Sequence, residues 1–200
     1  MIPATMLMIF ALVLFAWGCV LFPMSDVATV ITTITAIVGA FSIWLQMKRE
    51  RDIKEAEFIM NYNTSFIENE ELGNLEQELE NYRKIVESGK KVQDMPKIVR
   101  EENRHAVINF LVYHEALATF VKSGVLNMAH IDDLFAYRFF LVMNNPDVQE
   151  NELCPEAQYY RGCFDLYKKW IKYRRKKELY ILLEEYSLEK TDAYKKMYRV

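Results

Sequence analysis

The side chains best suited to metal binding or nucleophilic catalysis are three histidines and three cysteines, and their spacing matches no established site. His114 is followed by Glu115, as in the zinc-binding HExxH motif, but the second histidine of that motif is missing. The cysteines Cys19, Cys154 and Cys163 include no Cys-x-x-Cys pair and make no disulfide framework. No glycine-rich turn is present that would cradle a nucleotide phosphate. The sequence therefore predicts no metal site and no small-molecule cofactor.

One pair of residues has a spacing associated with RNA cleavage. Arg100 lies five residues before His105, which resembles the R-x4-6-H motif of the HEPN ribonucleases. In that family the arginine and histidine of two protomers meet at a dimer interface and act on the 2′-OH and the scissile phosphate of RNA. Residues five apart on a regular helix diverge by roughly 140°, so such a site needs a dimer or a distorted turn. A catalytic pair and a purely structural pair are both open interpretations.

A carboxylate on an otherwise apolar helix face needs a partner, because an unpaired buried charge is costly. Glu115 lies on such a face, and Arg138 lies on the next predicted helix. We expect Glu115 and Arg138 to form a structural polar pair.

A contrast in polarity divides the chain, because residues 1–47 carry a single formal side-chain charge, Asp26. Two apolar segments, 3–22 and 27–47, are each about twenty residues long, which lets a helix cross a hydrocarbon core of ~30 Å. Pro23–Asp26 separates them and would break a helix. The pattern predicts a transmembrane hairpin over residues 1–47. A single span, with the first segment in the interface or packed against neighbours, is the alternative.

Charged residues are frequent after the second apolar segment, which Lys48, Arg49 and Arg51 follow directly. The positive-inside rule then predicts a cytoplasmic soluble domain. Apolar residues at helical spacing continue past this point, so residues 48–68 are predicted to form a helical stalk. The slight net acidity of the chain, −3, argues against broad nucleic-acid binding through phosphate neutralisation.

One side of the second apolar segment carries small and polar residues within a sector of roughly 80°, with Thr29 at its edge. We call this set the polar stripe; it consists of Thr29, Thr32, Thr35, Gly39, Ser42 and Gln46. Small residues let helices approach closely in lipid and hydroxyls can bond across, so the first interpretation is helix packing. The second is that the stripe lines a water-filled path through a ring of subunits. Both interpretations predict a homo-oligomer.

The rest of the chain, residues 69–200, is predicted to form a cytoplasmic bundle of four or five helices, and no alternating strand pattern is present. The predicted helices cover about 69–88, 96–123, 127–145 and 155–186, with Asp94 and Asn127 as N-caps. The predicted fold class is therefore all-α: a transmembrane hairpin or single span, a helical stalk and a helical bundle.

The last predicted helix contains the one basic cluster of the sequence. We call it the basic patch; it comprises Lys168, Lys169, Lys172, Arg174, Arg175, Lys176 and Lys177. The patch is typical of the solvated face of an amphipathic helix. It would equally suit anionic lipid headgroups, RNA, or the acidic stretch Glu68–Glu80 of a neighbouring subunit.

The stretch from Asn109 to Glu150 resembles a family of small bacterial membrane-anchored helical proteins of uncharacterised function. In that family an N-F-x-x-x-x-E helix is followed by x-G-V-(L/I)-(N/D) and a second aromatic helix. The matching positions are Asn109, Phe110, Glu115, Gly124, Val125 and Asn127. This resemblance covers about a fifth of the chain and implies a fold rather than a reaction.

The membrane segment, the all-α domain and the R-x4-H spacing together also resemble the membrane accessory proteins of type VI-B CRISPR systems. That resemblance implies a ring-shaped oligomer that forms a membrane pore and boosts antiphage defence when the RNA-guided ribonuclease is activated. It also implies a HEPN-like domain without evident nuclease activity, in which Arg100 and His105 are a degenerate motif. The polar stripe would then lie on or near the pore.

We therefore expect an oligomeric bacterial inner-membrane protein that forms or gates a pore as an accessory in CRISPR-linked antiphage defence. Its expected partners are the lipid bilayer, further copies of itself, and RNA or a CRISPR effector. Two alternatives stay open: a membrane-tethered HEPN-type ribonuclease that uses Arg100 and His105, and a membrane-anchored scaffold that binds a protein partner.

Overall fold

The computed structural model describes residues 24–89 and 95–199, with side chains from residue 28 onward. The described residues form helices and connecting turns and contain no β-strand, so the predicted all-α fold class is confirmed. The predicted first apolar segment, 3–22, and the predicted cap Asp94 lie outside the described residues.

Two units make up the chain, Met1–Lys54 and Glu55–Val200. The helices are α1 (Met24–Ile67), α2 (Glu70–Glu87), α3 (Arg104–Lys122), α4 (Met128–Met143), α5 (Arg161–Lys176) and α6 (Asp192–Tyr198). A single turn, Pro146–Val148, continues as a π-helix, Gln149–Leu153, and two 3₁₀ turns cover Glu184–Tyr186 and Leu188–Lys190.

Helix α1 runs without a break through the predicted second span and the predicted stalk. Its residues 55–67 belong to the second unit, where Ile59 and Phe66 are buried and Phe58 and Tyr62 pack against the core. The second half of the predicted stalk is therefore an integral part of the helical bundle.

The apolar face of α2 consists of the residues that helical spacing selects. Leu72, Leu75, Leu79, Tyr82 and Val86 are all buried. Its N-terminus is capped by Asn69, whose side chain accepts a hydrogen bond from the N–H of Leu72. The other end stops at Gly89, whose φ of +82° is a conformation that glycine adopts without strain.

Helix α3 begins at Arg104 rather than near Pro96, so the predicted start was wrong. The reason is a long-range acceptor: the N–H groups of Ile98 and Val99 both donate to Asp147 Oδ2, each at 2.7 Å. These two N–H groups are satisfied by a carboxylate distant in sequence, which holds this segment in a turn before the helix begins.

The start of α4 and the end of α3 are as predicted from local signals. Asn127 caps α4, accepting a hydrogen bond from the N–H of Ala129 at 3.0 Å. Gly124, with φ +74°, follows α3 in the left-handed conformation.

The last long helix, α5, is much shorter than predicted and ends at Lys176. Beyond it the chain turns back, with Glu178 and Leu183 at positive φ, and buries Ile181, Leu182 and Leu183. The carbonyl of Leu182 accepts a hydrogen bond from the Asn144 side chain at 2.7 Å. Burying three consecutive apolar residues is incompatible with a helix that has one apolar face, so the return of the chain replaces the predicted helical continuation.

The centre of the bundle is aromatic and carries a small polar network. Trp170 is fully buried and stacks on Phe139 with ring centroids 4.7 Å apart. Its indole N–H donates to Asp132 Oδ1, which also accepts a hydrogen bond from Arg174 at 2.8 Å. Burying a large aromatic side chain contributes roughly 2–3 kcal/mol, and the paired carboxylate lets Trp170 do so without an unsatisfied donor.

A carboxylate of α3 binds the start of α5. Glu115 on α3 accepts the N–H groups of Gly162 and Cys163, at the start of α5, each at 2.7 Å. A side chain at position 162 would collide with this carboxylate, because a Cβ there would lie 2.7 Å from Glu115 Cδ. Glycine at 162 therefore leaves room for the close approach of Glu115 to the start of α5.

We predict that Gly162→Ala lowers the free energy of unfolding by roughly 1–3 kcal/mol, because it displaces Glu115 and leaves two N–H groups without an acceptor. Gly73→Ala is the matched control, since a Cβ on this α2 residue would meet nothing within 4 Å. Alanine there should stabilise the helix by up to about 1 kcal/mol. Thermal unfolding of the full chain in neutral detergent, followed by circular dichroism, measures both. A Gly162→Ala protein as stable as the wild type would contradict the assigned contact.

Candidate functional site

The first candidate site is the apolar part of α1, whose side chains contact almost nothing in the described structure. Val30, Phe41 and Trp44 are each more than half exposed. Within the described residues one helix is long and apolar enough to cross a membrane, with a mean hydropathy of 1.9 and none of the apolar window buried. Core helices of soluble proteins reach similar hydropathy, but they bury their apolar residues. This segment therefore needs lipid or other protein to cover it.

Two hydroxyl groups of the polar stripe are bonded within their own helix. Thr32 donates to the carbonyl of Ala28, and Ser42 donates to the carbonyl of Val38, each at 2.8 Å. The Gln46 amide donates to Glu50 at 3.2 Å, and a Cβ at Gly39 would meet nothing within 4 Å. The side chains of Thr32, Ser42 and Gln46 are thus bonded along this part of α1, with Thr35 in the same sector by helical spacing and Thr29 beside it.

Arg100 and His105, the candidate ribonuclease pair, lie in different local settings. The Arg100 guanidinium grips both oxygens of Glu78 at 2.9 Å, and also donates to Glu102 and to the carbonyl of Lys97. This pairing raises the pKa of Arg100, chiefly through its hydrogen bond to Glu78. His105 is exposed in the first turn of α3. The arrangement ties the turn before α3 to α2, which is a structural use of the arginine.

The predicted pairing of Glu115 with Arg138 is wrong, because each side chain has other partners. Glu115 binds the start of α5, as described above. Arg138 donates to Glu76 at 3.0 Å and to Asn63 at 2.7 Å, and its guanidinium lies 4.6 Å from the centre of the Phe66 ring. It therefore joins α4 to α1 and α2. The prediction paired residues on helices that are adjacent in sequence. In the structure Glu115 contacts α5, whereas Arg138 contacts α1 and α2.

The basic patch is divided by the fold into two parts with different surroundings. Arg174 is paired with Asp132, and Arg175 is paired with Glu184 and Glu189. Lys168, Lys169 and Lys172 instead line a groove of about 720 Å³ between α3 and α5. Lys176 and Lys177 lie exposed at the end of α5 and outside that groove.

The structure adds a residue that sequence analysis assigned no role. His114 is fully buried among Phe110, Tyr113 and Phe139, and its Nδ1 lies 2.9 Å from the carbonyl of Phe110. Burial lowers the pKa of His114 from 6.5 to about 4, and the positive charge of Arg138 acts in the same direction. The helical spacing of His114 with the apolar residues Phe110 and Leu117 was a signal for burial that the sequence already contained.

A second buried polar contact involves a carboxylate of α1. Glu55 is buried and accepts hydrogen bonds from the backbone N–H of Asn127 at 2.7 Å and from His130 Nδ1 at 2.9 Å. It lies four residues before the buried Ile59, so helical spacing placed it on the apolar face. The contact holds the start of α4 against α1.

No grouping of metal-binding side chains was found in the described part of the chain, where no three His, Cys, Asp or Glu residues come together. Burial raises the pKa of the Cys163 thiol well above its usual value, which disfavours the reactive thiolate.

A known protein family matches more than half of the chain. The family model described as a domain of unknown function, DUF4760, matches residues 29–145. The chain belongs to the DUF4760 family. The matched region runs from the polar stripe through α4, so the family domain includes the apolar part of α1, Arg100, His105 and Glu115. The basic patch and α5 lie beyond it.

No curated protein and no solved structure matches the chain. Membership of the DUF4760 family therefore identifies a shared domain but no activity. The function has to be argued from the residues themselves.

We predict that the stability of the bundle falls on acidification because of His114. Its pKa is lower in the folded chain than in the unfolded chain, so the unfolded state takes up the proton first as the pH falls below 6.5. The contribution is complete above pH 6.5, and roughly 2 kcal/mol of it is lost between pH 7.5 and 5.

His114→Phe should flatten this pH dependence, since phenylalanine fits an aromatic environment and takes up no proton. His105→Phe is the control, because His105 is exposed and its replacement should leave the pH dependence unchanged. Denaturant unfolding of the full chain at several pH values measures the effect. Equal pH dependence in His114→Phe and in the wild type would count against it.

Proposed function

We propose that this DUF4760 protein is an integral membrane protein whose copies associate through the polar stripe of α1 and form or gate a pore. The observation that carries the proposal is the apolar segment of α1, which is helical and uncovered by the described protein. The helical bundle of the second unit would serve as the soluble domain attached to this segment.

The membrane part of the proposal follows from the free energy of exposed apolar surface. Each buried Å² of such surface contributes roughly 25 cal/mol, so a fully exposed helix of this composition would not stay in water. All backbone groups inside the helix are paired, which a bilayer requires. Lys48, Arg49 and Arg51 follow the segment and favour a cytoplasmic soluble domain in the inner membrane of a bacterium.

The association part follows from the shape and chemistry of the polar stripe. Its hydroxyls at Thr32 and Ser42 are satisfied within the helix, so they carry no unpaired donor into lipid or into an interface. The absence of a side chain at Gly39 permits close approach of a second helix. A closed ring built this way would place the stripes around a common axis, which is the geometry of a pore.

The role in antiphage defence rests on the resemblance to the accessory proteins of type VI-B CRISPR systems. RNA or a CRISPR effector as partner belongs to the same proposal. The ribonuclease alternative is less well supported, because the donors of Arg100 are directed to Glu78, Glu102 and Lys97 instead of toward an open site. The scaffold alternative shares the membrane anchor and differs in having no ring.

The membrane part is tested with two cysteine substitutions that have the same exposure. Phe41 and Ile53 are both 58% exposed on α1, so protein structure alone predicts equal reaction with a water-soluble maleimide. In native membranes we expect Ile53→Cys to react and Phe41→Cys to stay unmodified, because a thiol in lipid does not ionise. The native cysteines are removed from both variants beforehand. Equal labelling of the two positions would refute membrane insertion.

The association part is tested by measuring the mass of the detergent-solubilised complex, corrected for bound detergent. We expect a discrete oligomer for the wild type and a smaller species for Thr32→Leu with Thr35→Leu, because two leucines keep the helices apart.

The matched control is Thr33→Leu with Ala40→Leu, which adds volume to α1 about 130° away from the centre of the sector that holds Thr32 and Thr35. This variant should keep the wild-type mass. A monomeric wild type, or the same loss in both variants, would argue against association through the stripe. Solute flux through liposomes then separates a pore from a scaffold that merely oligomerises.

A further inference from the structure

The groove between α3 and α5 combines an unusual charge with a size suited to a ligand. Its volume is about 720 Å³, within the range of roughly 300–1,000 Å³ that holds small molecules. Five cationic side chains line it against two carboxylates, although the chain as a whole carries a net charge of −3. The cationic residues are Lys122, Arg161, Lys168, Lys169 and Lys172.

Both carboxylates of the groove are occupied by neutral donors. The two oxygens of Glu115 accept the N–H groups of Gly162 and Cys163. Asp165 accepts the hydroxyl of Tyr198 at 2.7 Å. None of the five cations forms an ion pair with a carboxylate of the described residues.

Arg161 differs from several other arginines of the helical bundle in its lack of a carboxylate partner among the described residues. Other arginines of the helical bundle, including Arg83, Arg100, Arg104 and Arg138, are paired with glutamates. Arg161 faces the groove at the start of α5 with no such partner among the described residues. An arginine aimed into a concave surface with nearby lysines is a typical arrangement for binding phosphate.

One wall of the groove is held in place by an aromatic side chain. The Nζ of Lys168 lies 4.1 Å from the centre of the Tyr198 ring, and the Tyr198 hydroxyl is tied to Asp165. This contact fixes Lys168 relative to α6. The ammonium groups of Lys169 and Lys172, three residues apart on α5, stay exposed and directed to solvent.

The attraction of an anion comes from these side chains rather than from the helix terminus. The first N–H groups of α5 are already capped by Glu115, so they are not available to a ligand. The groove therefore presents fixed positive charges beside a capped helix end.

We propose that the groove between α3 and α5 binds a phosphate-bearing anion through Arg161, Lys169 and Lys172, with Lys122 and Lys168 also lining the groove. Such a ligand is either the headgroup of an anionic phospholipid or a soluble polyphosphate. The site lies outside the region matched by the DUF4760 model, and it is a candidate for regulating the membrane protein proposed above. Binding at the groove does not require the polar stripe to form a pore.

The test uses the full chain in neutral detergent and two pairs of substitutions on the same helix. Lys169→Gln with Lys172→Gln removes two charges from the groove. Lys176→Gln with Lys177→Gln removes two charges from exposed positions of α5 outside it, so both variants have the same net charge. Calorimetric titration with inorganic tripolyphosphate measures the soluble arm, and phosphatidylglycerol against phosphatidylcholine in mixed micelles measures the lipid arm.

We expect the groove variant to weaken binding of one or both probes by about tenfold or more, since charge-assisted hydrogen bonds are lost. The control variant should change it by less than about twofold, as expected for screened distant charges. Tripolyphosphate binding alone identifies a soluble ligand, and selective phosphatidylglycerol binding identifies a lipid headgroup.

Three results would overturn the proposal: no binding of either probe, equal weakening in both variants, or groove-dependent binding of single-stranded RNA without binding of tripolyphosphate. Oligomer mass is measured on the same samples. A groove variant with wild-type mass and weakened ligand binding separates this site from the association through α1, so either proposal can fail without the other.

Discussion

The carboxylate of Glu115 is the contact on which the arrangement of α3 and α5 depends. It supplies the acceptors for the first N–H groups of α5 and places negative charge where the helix dipole is positive. The same contact demands glycine at position 162, because any side chain there would occupy the space of the carboxylate. One interaction therefore sets the spacing of two helices, the identity of a neighbouring residue and the floor of the basic groove.

The two units of the chain differ in how far their apolar side chains are buried. In the second unit most aromatic residues are buried or packed against the core, and Trp170 is paired with Asp132. The Nε2 atom of buried His114 has no hydrogen-bond partner among the described residues. In the first unit the apolar residues of α1 stay exposed in the described structure, so their cover has to come from lipid or from other chains. Lipid would cover these residues in the membrane protein proposed above, and helical backbone pairing meets the demand of a bilayer.

Local signals predicted much of the helical architecture. The apolar spacing of α2 identified Leu72, Leu79 and Tyr82 as core residues, and the cap Asn127 follows from side-chain chemistry that acts over a few residues. Those predictions depend only on neighbours in the chain. The end of α5 failed for the opposite reason, since the turn after Lys176 is set by burial of apolar residues against α4 and the segments that follow.

The sequence by itself determined the all-α class, the apolar segment with its polar stripe and the cluster of basic residues near the C-terminus, because composition and periodicity express themselves locally. Tertiary structure decided which charges meet. It directed Arg138 to Glu76 instead of Glu115, used Arg100 to hold α2, and separated the paired Arg174 from the unpaired lysines of the groove. The ion-pair partner of a long side chain depends on which faces of the helices pack against each other. A single sequence does not specify that packing.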